Sequence, residues 1–99
     1  MPGVRIGELI FRIDLEIEKY VTEGKRIAAF GASGRANMLL GKLPRTRLAL
    51  EFVVDESPER IGRLMAQNSV KIISIEEFIT QEIDVLIILA WNFAEVIIA

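Results

Sequence analysis

The sequence predicts an α/β fold: a three-layer domain with a mainly parallel sheet of about four strands, preceded by an amphipathic helix. Three observations predict it. Short apolar runs at 26–30, 48–54, 70–73 and 85–90 alternate with segments of helical spacing, as βαβ units on a parallel sheet do. The first run ends in a glycine turn, Gly31-Ala32-Ser33-Gly34, directly before a helix-like stretch. Of the 99 residues, 52% are apolar, enough to give one small domain a core.

The elements follow in order. Ile6, Leu9, Ile10, Ile13, Ile17, Tyr20 and Val21 recur at helical spacing, with Glu8, Glu16, Glu18 and Glu23 off the stripe. Leu15 sits off this apolar face; an alternating strand through Ile13, Leu15 and Ile17 covers only a few residues. Gly24 is placed to stop the helix, as glycine does just past a helix end. Residues 26–30 are the first strand, and 35–43 a helix expected to end near Pro44. Residues 48–54 are the second strand, closed by Asp55. Ser57-Pro58-Glu59 reads as a cap with proline at the first helical position, opening a short helical turn to about Met65. Gln67-Asn68-Ser69 is a loop, and 70–73 a short strand at an edge. Ser74 and Glu77 form a capping-box pattern over Ile75-Glu76-Glu77-Phe78-Ile79. Asp84 leads into the strand 85–90, Trp91-Asn92-Phe93 is a junction, and a further helix is expected from Ala94. Residues 1–24 are thus a lead-in helix and 25–99 the domain. Its apolar end, Glu95-Val96-Ile97-Ile98-Ala99, reads as a helix cut short in a fragment of a larger protein; a short terminal helix is the alternative.

Right-handed crossovers place the glycine strand centrally, in the strand order 3-2-1-4 of a Rossmann-like sheet. The switch point then falls between the first and last strands. A crevice between Gly31-Ala32-Ser33-Gly34 and Trp91-Asn92-Phe93 is the default ligand site.

Composition removes several chemistries. Cysteine and histidine are both absent, so there is no disulfide, thiolate nucleophile, imidazole base or Cys/His metal site. A chain without cysteine suits a reducing cytoplasm, and no signal peptide is visible. The apolar run 85–91 is too short to span a bilayer. Net charge is −2, but residues 24–50 hold Lys25, Arg26, Arg35, Lys42, Arg45 and Arg47 without one acid. Residues 51–99 hold nine acids against Arg60, Arg63 and Lys71. A basic block around the glycine turn suits an anionic ligand; solubilising surface cations are the plainer reading. The block lacks interleaved aromatics, which argues against nucleic acid.

Several residues are candidates for such a ligand. Gly31-x-Ser33-x-x-Ala36 overlaps loosely with the dinucleotide fingerprint, with serine at the middle glycine and an extra Gly34. Asp55 stands about where a ribose-binding acid would. A phosphate on the turn is the more general reading, and a tight βα turn without ligand the plainest. Arg35 in the first helical turn opposes the helix dipole unless an anion is near. Asn37 offers a donor and an acceptor, and Trp91-Asn92 a stacking surface with a two-way hydrogen-bonding group. Each has a structural alternative: Arg35 in solvent, Asn37 bonded locally, Trp91 in the core. Glu76-Glu77 matches a helix-start dipole and is not a catalytic pair.

The strings RIAAFGASGRANMLL, LEFVVDESPERIGRL, ISIEEF and DVLIILAWNFAEVII, in this order, resemble the C-terminal domain of S-adenosylmethionine-dependent C-methyltransferases. Those enzymes act on nucleotide-linked deoxysugars and other small substrates. The family pattern runs GASAKGN, VVD-x-x-x-x-K-x-G, a Pro-Gly loop, S-x-E-E-L and a late WN. The resemblance spans 25–99, with the helix before it matching the family's lead-in helix. It implies a Rossmann-like domain with no catalytic residue and no cofactor of its own. A preceding domain of the parent protein would hold S-adenosylmethionine. Substrate contacts would fall at Gly31, Ala32, Ser33, Asn37, Asp55, Trp91 and Asn92, in agreement with the crevice. The chain departs from the pattern at Gly34-Arg35-Ala36, which replaces Ala-Lys-Gly, and at 65–69, which lacks Pro-Gly. Val96 stands where glutamate is common, and the family continues into a further strand. The expected function is therefore binding of a nucleotide-sugar or other anionic small molecule. A stand-alone NAD- or CoA-type module is one alternative. A ligand-free oligomerisation domain, with Ile97-Ile98 driving a homodimer, is the other.

Overall fold

The computed structural model describes residues 6–89 and 94–98, with side chains described over 12–89. Among these residues one sheet contains β1 (Ile27–Phe30), β2 (Leu50–Val54), β3 (Ile72–Ile73), β4 (Val85–Leu89) and β5 (Ala94–Ile98), in the order β3-β2-β1-β4-β5. The first four strands are parallel and follow the predicted order 3-2-1-4. Phe30 lies level with Val54 on one side and Ile88 on the other. The glycine strand is central, and β3 is an edge, as the sequence indicates.

The helix expected from Ala94 is instead β5, antiparallel to β4, with Leu89 opposite Ala94 and Val85 opposite Ile98. A five-residue apolar run carries no decisive period, and its β-branched Val96, Ile97 and Ile98 suit the edge of a sheet.

The helices are α1 (Ile6–Thr22), α2 (Gly34–Leu40), α3 (Pro44–Ala49) and α4 (Ile75–Phe78). Gly24 closes α1 as predicted, at φ +77°. The Lys25 N–H donates to the Tyr20 carbonyl and the Gly24 N–H to that of Val21, the Schellman pattern. Pro44 does not merely end the preceding helix. It opens α3, which occupies residues expected to begin the second strand, so β2 starts at Leu50. The cause lies far away in sequence. The α3 N-cap is Leu43, which has no capping side chain, and Asp14 of α1 supplies the missing acceptor. Buried Asp14 accepts the Thr46 N–H at 2.8 Å, the Thr46 hydroxyl at 2.9 Å and the Arg45 N–H at 3.2 Å. A carboxylate there also suits the positive end of the helix.

The segment after Asp55 departs from expectation too. Residues 58–62 form hydrogen-bonded turns, not a helix reaching Met65. Residues 62–65 then run against 70–72: the Gly62 and Met65 N–H groups donate to Ile72 and Val70, and the Ile72 N–H donates to Arg63. This backbone pairing competes successfully with a helix of barely two turns.

One sheet face packs Ile13 and Ile17 of α1 with Leu39, Leu40 and Leu43 over Ile27, Ala29, Val53, Val85 and Ile87. The other face gathers Ala28, Phe52, Val54 and Ile73 under α4, where Phe78 meets Phe52 edge-on at 6.3 Å between ring centroids. Ser74 caps α4 as predicted, its hydroxyl accepting the Glu77 N–H at 3.1 Å.

Candidate functional site

The carboxyl end of β1 is built around Gly31. Its φ of +111° excludes most side chains, and a Cβ there would lie 3.1 Å from the Leu89 carbonyl oxygen. The Gly31 N–H donates to Val54 at 2.8 Å, which ties the turn to β2. Asp55 fixes the next residue. Its carboxylate accepts the Ala32 N–H and the Ser57 N–H, each at 2.8 Å, and the Arg60 guanidinium at 3.4 Å. Burial opposes ionisation of Asp55 and is the largest influence on it. The Ser57 and Ala32 N–H groups, with Arg60, more than offset that and hold the carboxyl below its ordinary range. In this structure Asp55 thus braces the glycine turn and the turn after β2 together.

Ser33 is the N-cap of α2; its hydroxyl accepts the Ala36 N–H at 3.2 Å and keeps its own proton for donation. Asn37 reaches sideways: its Oδ1 accepts the Gln67 N–H at 3.2 Å, clipping the 66–69 loop to α2. Asn68 ties the same loop to α3 by donating to the Arg47 carbonyl at 2.9 Å.

Between α2 and this loop lies a cavity of ≈ 250 Å³. Ala32, Ser33, Gly34 and Asn37 line it, so four of the residues named from sequence converge here. Gly31 and Asp55 lie behind it as supports. Arg35 is exposed on the first turn of α2, next to Gly34 but not itself part of the lining. Trp91 and Asn92 lie outside the described residues, and with them the far side of the crevice expected between β1 and β4. The cavity opens on the other flank of the glycine turn, toward β2 and β3.

Its remaining walls come from residues to which the sequence reading gave no site role: Arg60, Arg63, Leu64, Met65, Ala66 and Ile72. The available signal was two arginines three residues apart, in a turn just past the carboxyl end of the strand beside the glycine strand. The basic block, by contrast, does not surround the site as a whole. Arg26 sits at the opposite end of β1, bonded to both carboxylate oxygens of Glu51 at 2.8 Å. Those hydrogen bonds hold Glu51 below the usual carboxylate range against the effect of burial. Arg45 is engaged by Glu18 at 2.7 Å and by Asp14 at 3.3 Å.

Among the described residues no group of His, Cys, Asp and Glu could hold a metal ion, and no helix is long and apolar enough to cross a membrane. The lining brings two arginines and the Ser33 hydroxyl together with the apolar side chains of Leu64, Met65 and Ile72. A sequence profile of the C-methyltransferase C-terminal domain matches residues 12–99. No curated protein matches the chain.

Proposed function

The chain belongs to the C-methyltransferase C-terminal domain family, and we propose that it holds the substrate of a methyl transfer whose donor is bound elsewhere. The substrate is an anionic small molecule, with a nucleotide-linked sugar the best fit to the family resemblance. S-adenosylmethionine and the reacting groups belong to a preceding domain of the parent protein, so this domain alone is not a catalyst.

The cavity beside the glycine turn carries this reading. Arg60 and Arg63 border it, and the Asp55 carboxylate behind them is already engaged by two backbone N–H groups. An oxyanion placed there meets guanidinium donors on one side and the Ser33 hydroxyl on the other, charge-assisted bonds of the stronger kind. Among the described residues that line the cavity there is no carboxylate to repel it.

Titration of the isotope-labelled chain with dTDP and with UDP tests the proposal. Amide shifts concentrated at Ser33, Gly34, Asn37, Arg60 and Arg63 are expected. No response at millimolar ligand overturns it. A response to NADH or CoA with none to either diphosphate supports a dinucleotide-type module in its place.

A further inference from the structure

We propose that Gln67 is a positioning residue for the ligand: its backbone N–H fixes the Asn37 amide so that the NH2, and not the oxygen, is the group left to a phosphate. This rests on the reading of the cavity as an anion site and names a residue outside its lining that sets its specificity.

An asparagine amide can present either end. Half a turn about its last bond exchanges an acceptor for two donors with almost no change in shape. Beside a phosphate the difference is decisive, because phosphate oxygens accept hydrogen bonds and repel a carbonyl oxygen. Asn37 is half-buried and lines the cavity. The Gln67 N–H lies 3.2 Å from its Oδ1. A backbone N–H can only donate, so it selects the oxygen and leaves the NH2 for another partner. Among the described residues, that NH2 meets no protein acceptor.

The other polar side chains of the lining are donors as well. The Ser33 hydroxyl accepts the Ala36 N–H and keeps its own proton, and Arg60 and Arg63 carry N–H groups alone. With the amide held this way, each polar side chain of the lining can donate to an anion. A flipped amide would set one acceptor against it.

The loop is built to keep Gln67 in place. At its base the Met65 N–H donates to Val70 at 2.8 Å and the Ser69 N–H to Met65 at 2.9 Å. The Met65 side chain is buried, and Asn68 bonds the Arg47 carbonyl of α3. The Gln67 side chain lies against Gly41 at the end of α2, where a Cβ would come within 3.0 Å of its amide nitrogen. The Gln67–Asn37 bond itself is exposed, and a bond that competes with water adds little stability. What it fixes is direction.

Titration of the isotope-labelled chain with dTDP, following the Asn37 side-chain NH2 beside the backbone amides, tests the proposal. The NH2 signals should shift with the same midpoint as the Ser33 and Arg63 amides, a measurement that needs no variant. Gln67→Pro removes the N–H and should weaken dTDP binding about fivefold, with the Asn37 NH2 shift reduced. Gln67→Ala keeps the N–H and should cost no more than about twofold. Unchanged amide spectra at Ile17 and Val53 would show that both variants keep the fold. An Asn37 NH2 that stays still while the Ser33 and Arg63 amides respond overturns the inference and leaves the anion site standing. Equal losses from the two Gln67 variants do the same. No response of any amide at millimolar dTDP overturns both.

Discussion

The two ends of β1 carry the same kinds of groups, arginines and carboxylates, and assemble them differently. At the N-terminal end the charges close on one another. Arg26 holds both oxygens of Glu51, while the Arg26 N–H donates to the Asp84 carboxylate at 2.8 Å. At the C-terminal end the carboxylate turns to the backbone. Asp55 takes two N–H groups at 2.8 Å and meets Arg60 only at 3.4 Å. Arg60 and Arg63 line a cavity. One end closes its charges on one another, and the other leaves two arginines at the edge of a cavity, where the proposed anion would sit. Counting charges along the chain cannot separate the two, because what matters is how completely each charge is partnered within the fold.

Removing Asp55 breaks this comparison most severely. Asp55→Ala leaves the part-buried N–H groups of Ala32 and Ser57 without their acceptor and should lower stability by about 3 kcal/mol. A urea midpoint that falls at constant slope would measure it. Gly31→Ala comes next. The positive φ and the 3.1 Å approach to the Leu89 carbonyl should cost about 2 kcal/mol. The same change at Gly24, also at positive φ but with open space around it, should cost about 1 kcal/mol. Equal losses at the two glycines would show that close packing at the Gly31 turn contributes nothing.

These positions also show what was legible in the chain. The Gly24 and Ser74 helix signals rest on local patterns, readable within a few residues, and the order of the parallel strands follows once the alternation of strands and helices is joined to the right-handed crossover rule. The glycine turn was readable for the same reason. What escaped depends on long-range pairing. Asp14 caps a helix that begins 30 residues later, with Thr46 its partner at a separation of 32. Arg26 finds Glu51 at a separation of 25, so its membership in a basic block said nothing of its role. The arginines of the cavity stood in the acidic half of the sequence, where their charge was outnumbered. Asn37 lines the cavity, where its two-way amide suits a ligand. That the amide's oxygen also binds the Gln67 N–H of a loop is something no spacing rule reveals. The last strand escaped because five residues carry no decisive period, and antiparallel pairing with β4 settles their conformation.

Acid sharpens the contrast with a smaller effect. Asp55 and Glu51 both ionise more readily in the folded protein than in the unfolded chain. Each therefore contributes stability that is present above its unfolded value, about pH 4, and is lost as the pH falls through the lower folded value. Asp55→Asn should flatten the loss of stability below that pH more than Glu51→Gln does, because the Glu51 side chain is 39% exposed and its pairing is screened by water. Denaturant titrations of the three proteins over the acid range would measure the slopes. A steeper dependence on Glu51 would reverse the ranking of the two ends.

The smallest effect falls on the fastening itself. Both partners of the Arg26–Glu51 pair are about two-fifths exposed, at 41% and 39%. Arg26→Gln should therefore cost no more than about 1 kcal/mol, with the difference from the unaltered protein shrinking as salt is added. It should leave dTDP affinity unchanged, because Arg26 stands at the far end of β1 from the cavity. Arg60→Gln should weaken dTDP binding, and its stability loss should also stay small, since its bond to Asp55 is long and Asp55 keeps both backbone partners. Paired measurements of stability and affinity on these two variants separate a charge that fastens from a charge that recognises. If Arg26→Gln weakened dTDP binding as much as Arg60→Gln, the anion would be responding to the summed field of the basic residues, and the division between the two ends of β1 would not hold.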